Sequence, residues 1–148
     1  MLLCLMAWMQ IFLMVIDFSI DEFLGGKLKI KQPKKGYRAG IDPVLLAASV
    51  NASKGDNILE LGCGVGVASL CLAKRVAGLN IYGVEIQSDY AALATENSQL
   101  NSMDLNVVSA DIGRLPDSVK QIQFDHVMAN PPYFERLAST MSFNRGRD

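Results

Sequence analysis

The sequence predicts an α/β fold, a parallel sheet with helices on both faces, and three observations carry that prediction. Short apolar runs suited to buried strands alternate with amphipathic stretches of helical length from Asp42 onward. A glycine-rich turn follows the first of these runs at Gly62, Gly64 and Gly66. Acids or an Asn-Pro-Pro turn close the others. Strand–helix–strand alternation of this kind means βαβ units, with ligands bound beyond the carboxyl ends of the strands.

In order along the chain, Asp42 is expected to cap a short helix with Pro43 at its first position, continued by Val44 to Ala48. Residues 57–61, Asn-Ile-Leu-Glu-Leu, read as a buried strand running into the glycine turn. Val67 to Val76 reads as a helix with Lys74 and Arg75 in its last turn and Gly78 as its stop. Asn80 to Val84 is the second strand, closed by Glu85, and Ser88 is expected to cap a helix reaching about Leu100. Leu105 to Ser109 is a third strand, followed by Asp111, and Phe124 to Ala129 a fourth, followed by Asn130-Pro131-Pro132-Tyr133. Four marked loops therefore fall on one edge of the sheet.

The 148 residues suit one domain, and a composition half hydrophobic and one-fifth charged is that of a packed globule rather than a disordered chain. Residues 1–16 are uncharged and almost wholly apolar, short for a membrane span and without the basic start of a signal peptide. The expectation is a leader outside the domain, with Met9 or Met14 as the true start, a domain from 17 to 148, a cytoplasmic location and no stable membrane association. Cys4, Cys63 and Cys71 form no CxxC pair and no histidine cluster joins them, so neither a metal site nor a disulfide framework is expected. His126, the one histidine, is read as a structural strand residue.

A net charge of -1 gives no support to a nucleic-acid partner. Local charge does, since Lys27, Lys29, Lys31, Lys34, Lys35 and Arg38 cluster with no acid among them and could neutralise phosphates. Charge alone favours the plainer alternative, a solvated lysine-rich strand and turn.

The chemistry lies in the marked loops. Glu60 stands two residues before the first glycine of a G-x-G-x-G turn, where the dinucleotide fingerprint would need its third glycine at Val67. An acid there repels a pyrophosphate and suits a cationic ligand, such as the amine of a methionine group. Glu85, about 20 residues on, can accept from two ribose hydroxyls. Asp111 follows the third strand. At Asn130-Pro131-Pro132-Tyr133 the prolines stiffen the loop and remove two backbone donors. The asparagine oxygen and a carbonyl then form acceptors able to hold both hydrogens of a planar NH2, and the tyrosine ring offers a stacking face.

These motifs resemble those of Rossmann-like class I S-adenosylmethionine-dependent methyltransferases acting on planar amines, which carry N-P-P-Y/F after the fourth strand. Phe23-Leu24-Gly25-Gly26-Lys27-Leu28, Gln32-Pro33 and Gly36-Tyr37-Arg38-Ala39-Gly40-Ile41-Asp42-Pro43-Val44-Leu45-Leu46-Ala47 resemble the opening of the bacterial valine-tRNA adenine-N6 methyltransferase family. The resemblance spans roughly Asp21 to Phe134 and stops short of a seven-stranded sheet ordered 3-2-1-4-5-7-6, of which it implies the first four strands. It implies S-adenosylmethionine as cofactor and tRNA as partner. Glu60, Gly62, Gly64 and Gly66 would hold the methionine part, Glu85 the ribose and Asp111 the cofactor's adenine. Tyr37, Arg38 and Asp42 would lie near the cofactor and the entry to the pocket. Asn130, Pro131, Pro132 and Tyr133 would hold the target base, and Lys27, Lys29, Lys31, Lys34, Lys35 and Tyr37 would contact RNA. A release-factor glutamine methyltransferase and a cofactor-binding remnant without activity remain the alternatives.

Overall fold

A computed structural model describes residues 17–131; residues 1–16, on which the leader expectation falls, and Pro132 and Tyr133 lie outside the described residues. Four parallel strands form the central sheet: β3 (Asn57–Leu61), β4 (Asn80–Glu85), β5 (Asn106–Ser109) and β6 (His126–Ala129). They lie in the order β5-β4-β3-β6, the 3-2-1-4 order expected. Ahead of them β1 (Phe18–Phe23) and β2 (Leu28–Pro33) form an antiparallel hairpin, paired from Phe18↔Pro33 to Phe23↔Leu28. The helices are α1 (Asp42–Ser49), α2 (Val67–Arg75), α3 (Ser88–Leu100) and the single turn α4 (Asp117–Lys120).

The strands are short apolar runs because the sheet is buried on both sides over its central strands. Ile58, Ile81 and Met128 meet Val67, Leu70, Cys71, Leu72 and Leu93 from α2 and α3, with Ala47 of α1 and with Leu28 and Ile30 of the hairpin. The opposite face is smaller, with Leu59 and Val84 under Val119 of α4, and Tyr82 edge-on to Phe124 at 5.6 Å between ring centroids. Helices thus lie on both faces, although among the described residues one turn, α4, covers the second.

The expected caps shift by one residue. Asp42 is the first residue of α1 and Ile41 takes the cap position, already helical at φ −80°, ψ −28°, with its carbonyl accepting from Val44 and Leu45. Ser88 likewise begins α3 and Gln87 precedes it, held by its own backbone N–H donating to the Glu85 carboxylate at 2.9 Å. Glu85 thus fixes the chain where it enters α3, and no side chain caps the helix.

The hairpin appeared in the sequence only as a lysine-rich strand and turn. Alternation along β2 buries Leu28, Ile30 and Gln32 and exposes Lys29. Its outer edge meets α3, where Asn97 and Asn101 bond to the backbone of Lys31 and Lys29. Lys27, Lys29, Lys34 and Lys35 are exposed, as the solvated reading expected, and two of the lysines are also paired. Lys31 pairs with Glu96 at 2.9 Å and lies 4.4 Å from the centre of the Phe18 ring, and Lys34 pairs with Asp17 at 2.9 Å. Those acids stand outside the cluster in sequence. Among the described residues Lys27, Lys29 and Lys35 make no ion pair. His126 Nε2 lies 3.3 Å from Asp56 at the amino end of the sheet, away from the marked loops.

Candidate active site

The order β5-β4-β3-β6 runs outward in one direction from β3 and then returns to its other side, so the chain reverses between β3 and β6. The crevice at such a reversal, outside the carboxyl ends, is where open α/β sheets bind ligands. Register brings the marked residues there together: Leu61 pairs with Val84 and with Ala129, and Glu85 with Ser109. The glycine turn follows β3, Glu85 closes β4, Asp111 follows β5 and Asn130 follows β6.

Gly62, Gly64 and Gly66 have φ of +70°, +54° and +86°, a left-handed run that side chains resist. Their surroundings differ. A Cβ on Gly62 or Gly64 would meet open space, whereas on Gly66 it would come 3.2 Å from Leu105 and 3.4 Å from Ala94. The first two present bare backbone to the crevice; the third lets α2 pack against α3. Cys63 is buried beneath the turn, and the absence of a side chain on Gly83 makes room for it, since a Cβ there would stand 2.8 Å from its sulfur. Burial pushes the Cys63 thiol far above its ordinary range, and the Cys71 thiol up to about 11.

The two acids are held differently. Glu60 is 2% exposed, and one carboxylate oxygen accepts from the Ser69 backbone N–H at 3.0 Å and from the Ser69 hydroxyl. Burial raises its pKa to about 7, against the lowering effect of the Ser69 bonds. Glu85 closes the turn from the neighbouring strand: one oxygen accepts from Gly64 N–H and the other from Gln87 N–H, each at 2.9 Å. Each oxygen keeps a further lone pair for a ligand hydroxyl. Asp111 accepts from Gly113 N–H at 2.8 Å and opens a short 3₁₀ turn, Ile112–Arg114.

A cleft between these loops is lined by Tyr37, Ala39, Pro43, Glu60, the 62–65 turn and Asn130. Asn130 Nδ2 donates to the Tyr37 hydroxyl at 3.4 Å, which brings the segment before α1 against the loop after β6. Tyr90 in turn donates to the Tyr37 carbonyl at 3.3 Å.

Arg38 and Asp42 do not line this cleft. Arg38 turns back to the hairpin, donating to Ser19 Oγ and the Pro33 carbonyl at 2.9 Å and pairing with Asp21. Asp42 is exposed at the start of α1. Pro131 is exposed directly after Asn130, at the end of the described residues.

Two residues at this edge escaped the sequence reading. Ile86 and Ile112, 65% and 57% exposed, each directly follow a marked acid, Glu85 and Asp111. An isoleucine one residue after the acid that closes or follows a strand of a βαβ unit is the sequence signal that could have flagged them. Among the described residues no His, Cys, Asp or Glu cluster could hold a metal ion, and no helix is long and apolar enough to cross a membrane.

The donor set suits S-adenosylmethionine: open glycine backbone beside a carboxylate for a methionine amine, a strand-end acid for ribose, and apolar side chains for a base. Comparison with known proteins agrees. Two curated tRNA1(Val) (adenine(37)-N6)-methyltransferases are similar. That of Flavobacteriaceae bacterium (strain 3519-10) is 36% identical, over 74% of this chain and 47% of its own length. That of Haemophilus influenzae is 34% identical, over 79% and 51%. A putative protein N5-glutamine methyltransferase of Methanocaldococcus jannaschii is 31% identical, over 78% and 59%. The chain thus spans about half the length of these relatives. Among solved structures, a T. thermophilus 16S rRNA methyltransferase in complex with AdoMet and guanosine superposes with a TM-score of 0.63 at 19% identity, over 81% of this chain and 34% of that one. The methyltransferase small domain model matches residues 39–145, and the chain belongs to that family of methyltransferases.

Proposed function

We propose that the chain carries the cofactor half and the amine-binding loop of an S-adenosylmethionine-dependent methyltransferase that modifies the N6 amine of adenine in tRNA, at the adenine beside the anticodon of a valine tRNA. The observation that carries this reading is the meeting of Asn130 with the glycine turn in one cleft. On this reading Asn130 supplies an amide acceptor beside the methionine sulfonium.

S-adenosylmethionine supplies an electrophilic methyl group on a sulfonium. The chain's own residues position it: Glu60 and the backbone of Gly62 and Gly64 face the methionine end, Glu85 accepts from the ribose, and Asp111 with Ile86 and Ile112 flanks the adenine. Asn130 Oδ1 accepts a hydrogen bond from the target amine and raises electron density on its nitrogen. With the cofactor bound, its methyl carbon would pass from sulfur to that nitrogen, which would then give a proton to solvent. Positioning in line with the sulfonium does most of the work, because no strong base is required. Pro131, Pro132 and Tyr133 belong to the same loop and are assigned to stiffening it and to stacking on the base. A base read in this way leaves its stack or comes from a loop. Lys27, Lys29 and Lys35 are the cations assigned to RNA phosphates.

Asn130→Ala tests the reading. Turnover is expected to fall at least about a hundredfold, as for loss of a transition-state hydrogen-bond partner, while S-adenosylmethionine affinity, measured by calorimetry, stays within about twofold. Equal loss of both would overturn the role given to Asn130. The glutamine reading has one specific support, the M. jannaschii relative, and a glutamine side chain presents the same planar NH2.

A further inference from the structure

Asn97 and Asn101 stand one turn apart on α3 and treat β2 alike. Asn97 Oδ1 accepts from Lys31 N–H at 2.7 Å and its Nδ2 donates to the Lys31 carbonyl at 3.0 Å. Asn101 Oδ1 accepts from Lys29 N–H at 2.9 Å and its Nδ2 donates to the Lys29 carbonyl at 2.8 Å. Two side-chain amides thus replace a neighbouring strand along the outer edge of the hairpin. They differ in their remaining hydrogen. Asn101 returns it to its own helix, to the Asn97 carbonyl at 2.7 Å. Asn97, 0% exposed, sends it to the Val65 carbonyl at 2.9 Å, inside the glycine turn.

We propose that Asn97 is a positioning residue of the cofactor loop and carries the position of the β1–β2 hairpin to it. The proposal rests on the assignment of the 62–66 turn to S-adenosylmethionine. Val65 lies between Gly64 and Gly66, and the direction of its carbonyl sets the plane of the Val65–Gly66 peptide within the turn. Glycine has no side chain to hold such a loop in one of its many accessible conformations, and one buried bond from a fixed helix does so. Because the same amide grips Lys31, a shift of β2 relative to α3 moves the loop. Coupling of this kind is reciprocal, so a ligand at the turn also steadies the hairpin.

Asn101→Asp is the internal control for Asn97→Asp, since each substitution keeps the acceptor oxygen and the size of the side chain and turns the NH2 donor into a carboxylate oxygen facing two carbonyls. Calorimetry with S-adenosylmethionine on the whole chain should show affinity weakened about tenfold or more for Asn97→Asp, and within about twofold of wild type for Asn101→Asp. In wild type, S-adenosylmethionine should slow amide hydrogen exchange at Lys31 and leave Lys29 unchanged. Equal weakening by the two variants would mean that Asn97 only holds the fold, and unchanged affinity in Asn97→Asp would overturn the proposal outright. If Asn97→Asp does not fold, the wild-type exchange decides: protection at Lys31 alone supports the proposal, and protection at both or neither overturns it. Failure of wild type to bind S-adenosylmethionine would instead remove the cofactor assignment itself.

Discussion

At the residue scale, Glu60 shows how far a side chain's environment can change its meaning. As an acid before a glycine turn it reads as a ligand-binding group, yet it is also a buried carboxyl satisfied by Ser69, with its pKa raised to about 7. A carboxyl with a raised folded pKa binds more protons in the folded state than in the unfolded one, from the ordinary value of 4.5 up to about 7. Its contribution to stability is therefore full below pH 4.5 and is lost as pH rises through about 7. Thermal unfolding of the ligand-free chain should show this loss as a falling melting temperature across that window, and Glu60→Gln should flatten it. An unchanged profile in the variant would mean that Glu60 ionises freely. The sequence disclosed the residue and the chemistry it suits; its raised pKa comes from burial under α2, which no local pattern reveals.

Legibility at the element scale follows the range of the contacts. The four sheet strands and their helices were readable because runs such as Ile58-Leu59 and Ile81 to Val84 carry their burial in their own composition. The hairpin was not, because Lys31 and Lys34 pair with Glu96 and Asp17 and its edge is satisfied by Asn97 and Asn101, partners distant in sequence. Two predictions belong here. Gly64→Ala and Gly66→Ala both force alanine into a left-handed conformation, at about 1–2 kcal/mol. Only at Gly66 would the Cβ also crowd α3, so Gly66→Ala should lower the melting temperature more. Gly64→Ala, with open space for its Cβ, should chiefly weaken S-adenosylmethionine binding; the reverse ranking would contradict the division of roles within the turn. Among the cations, Lys35→Ala should reduce the slope of log affinity against log salt for tRNA by about 1. Lys34→Ala should reduce it less, because Asp17 already occupies its charge. Equal slopes for both would mean that the internal pair opens on binding.

The whole molecule joins two halves of one site through topology. Reversal of the strand order between β3 and β6 places the glycine turn beside Asn130. The hairpin, absent from the sheet itself, closes over α3 and leads through Tyr37 back to Asn130. Cofactor and amine contacts are thus assigned to a single edge, and the central claim is that methyl transfer to an adenine amine occurs there. Its most direct test is transfer of label from S-adenosylmethionine to tRNA, with release factor assayed in parallel, followed by digestion of the RNA to nucleosides. The account predicts label in N6-methyladenosine, lost in Asn130→Ala. Label in release-factor glutamine and none in tRNA, or no transfer at all while S-adenosylmethionine is bound, would contradict it.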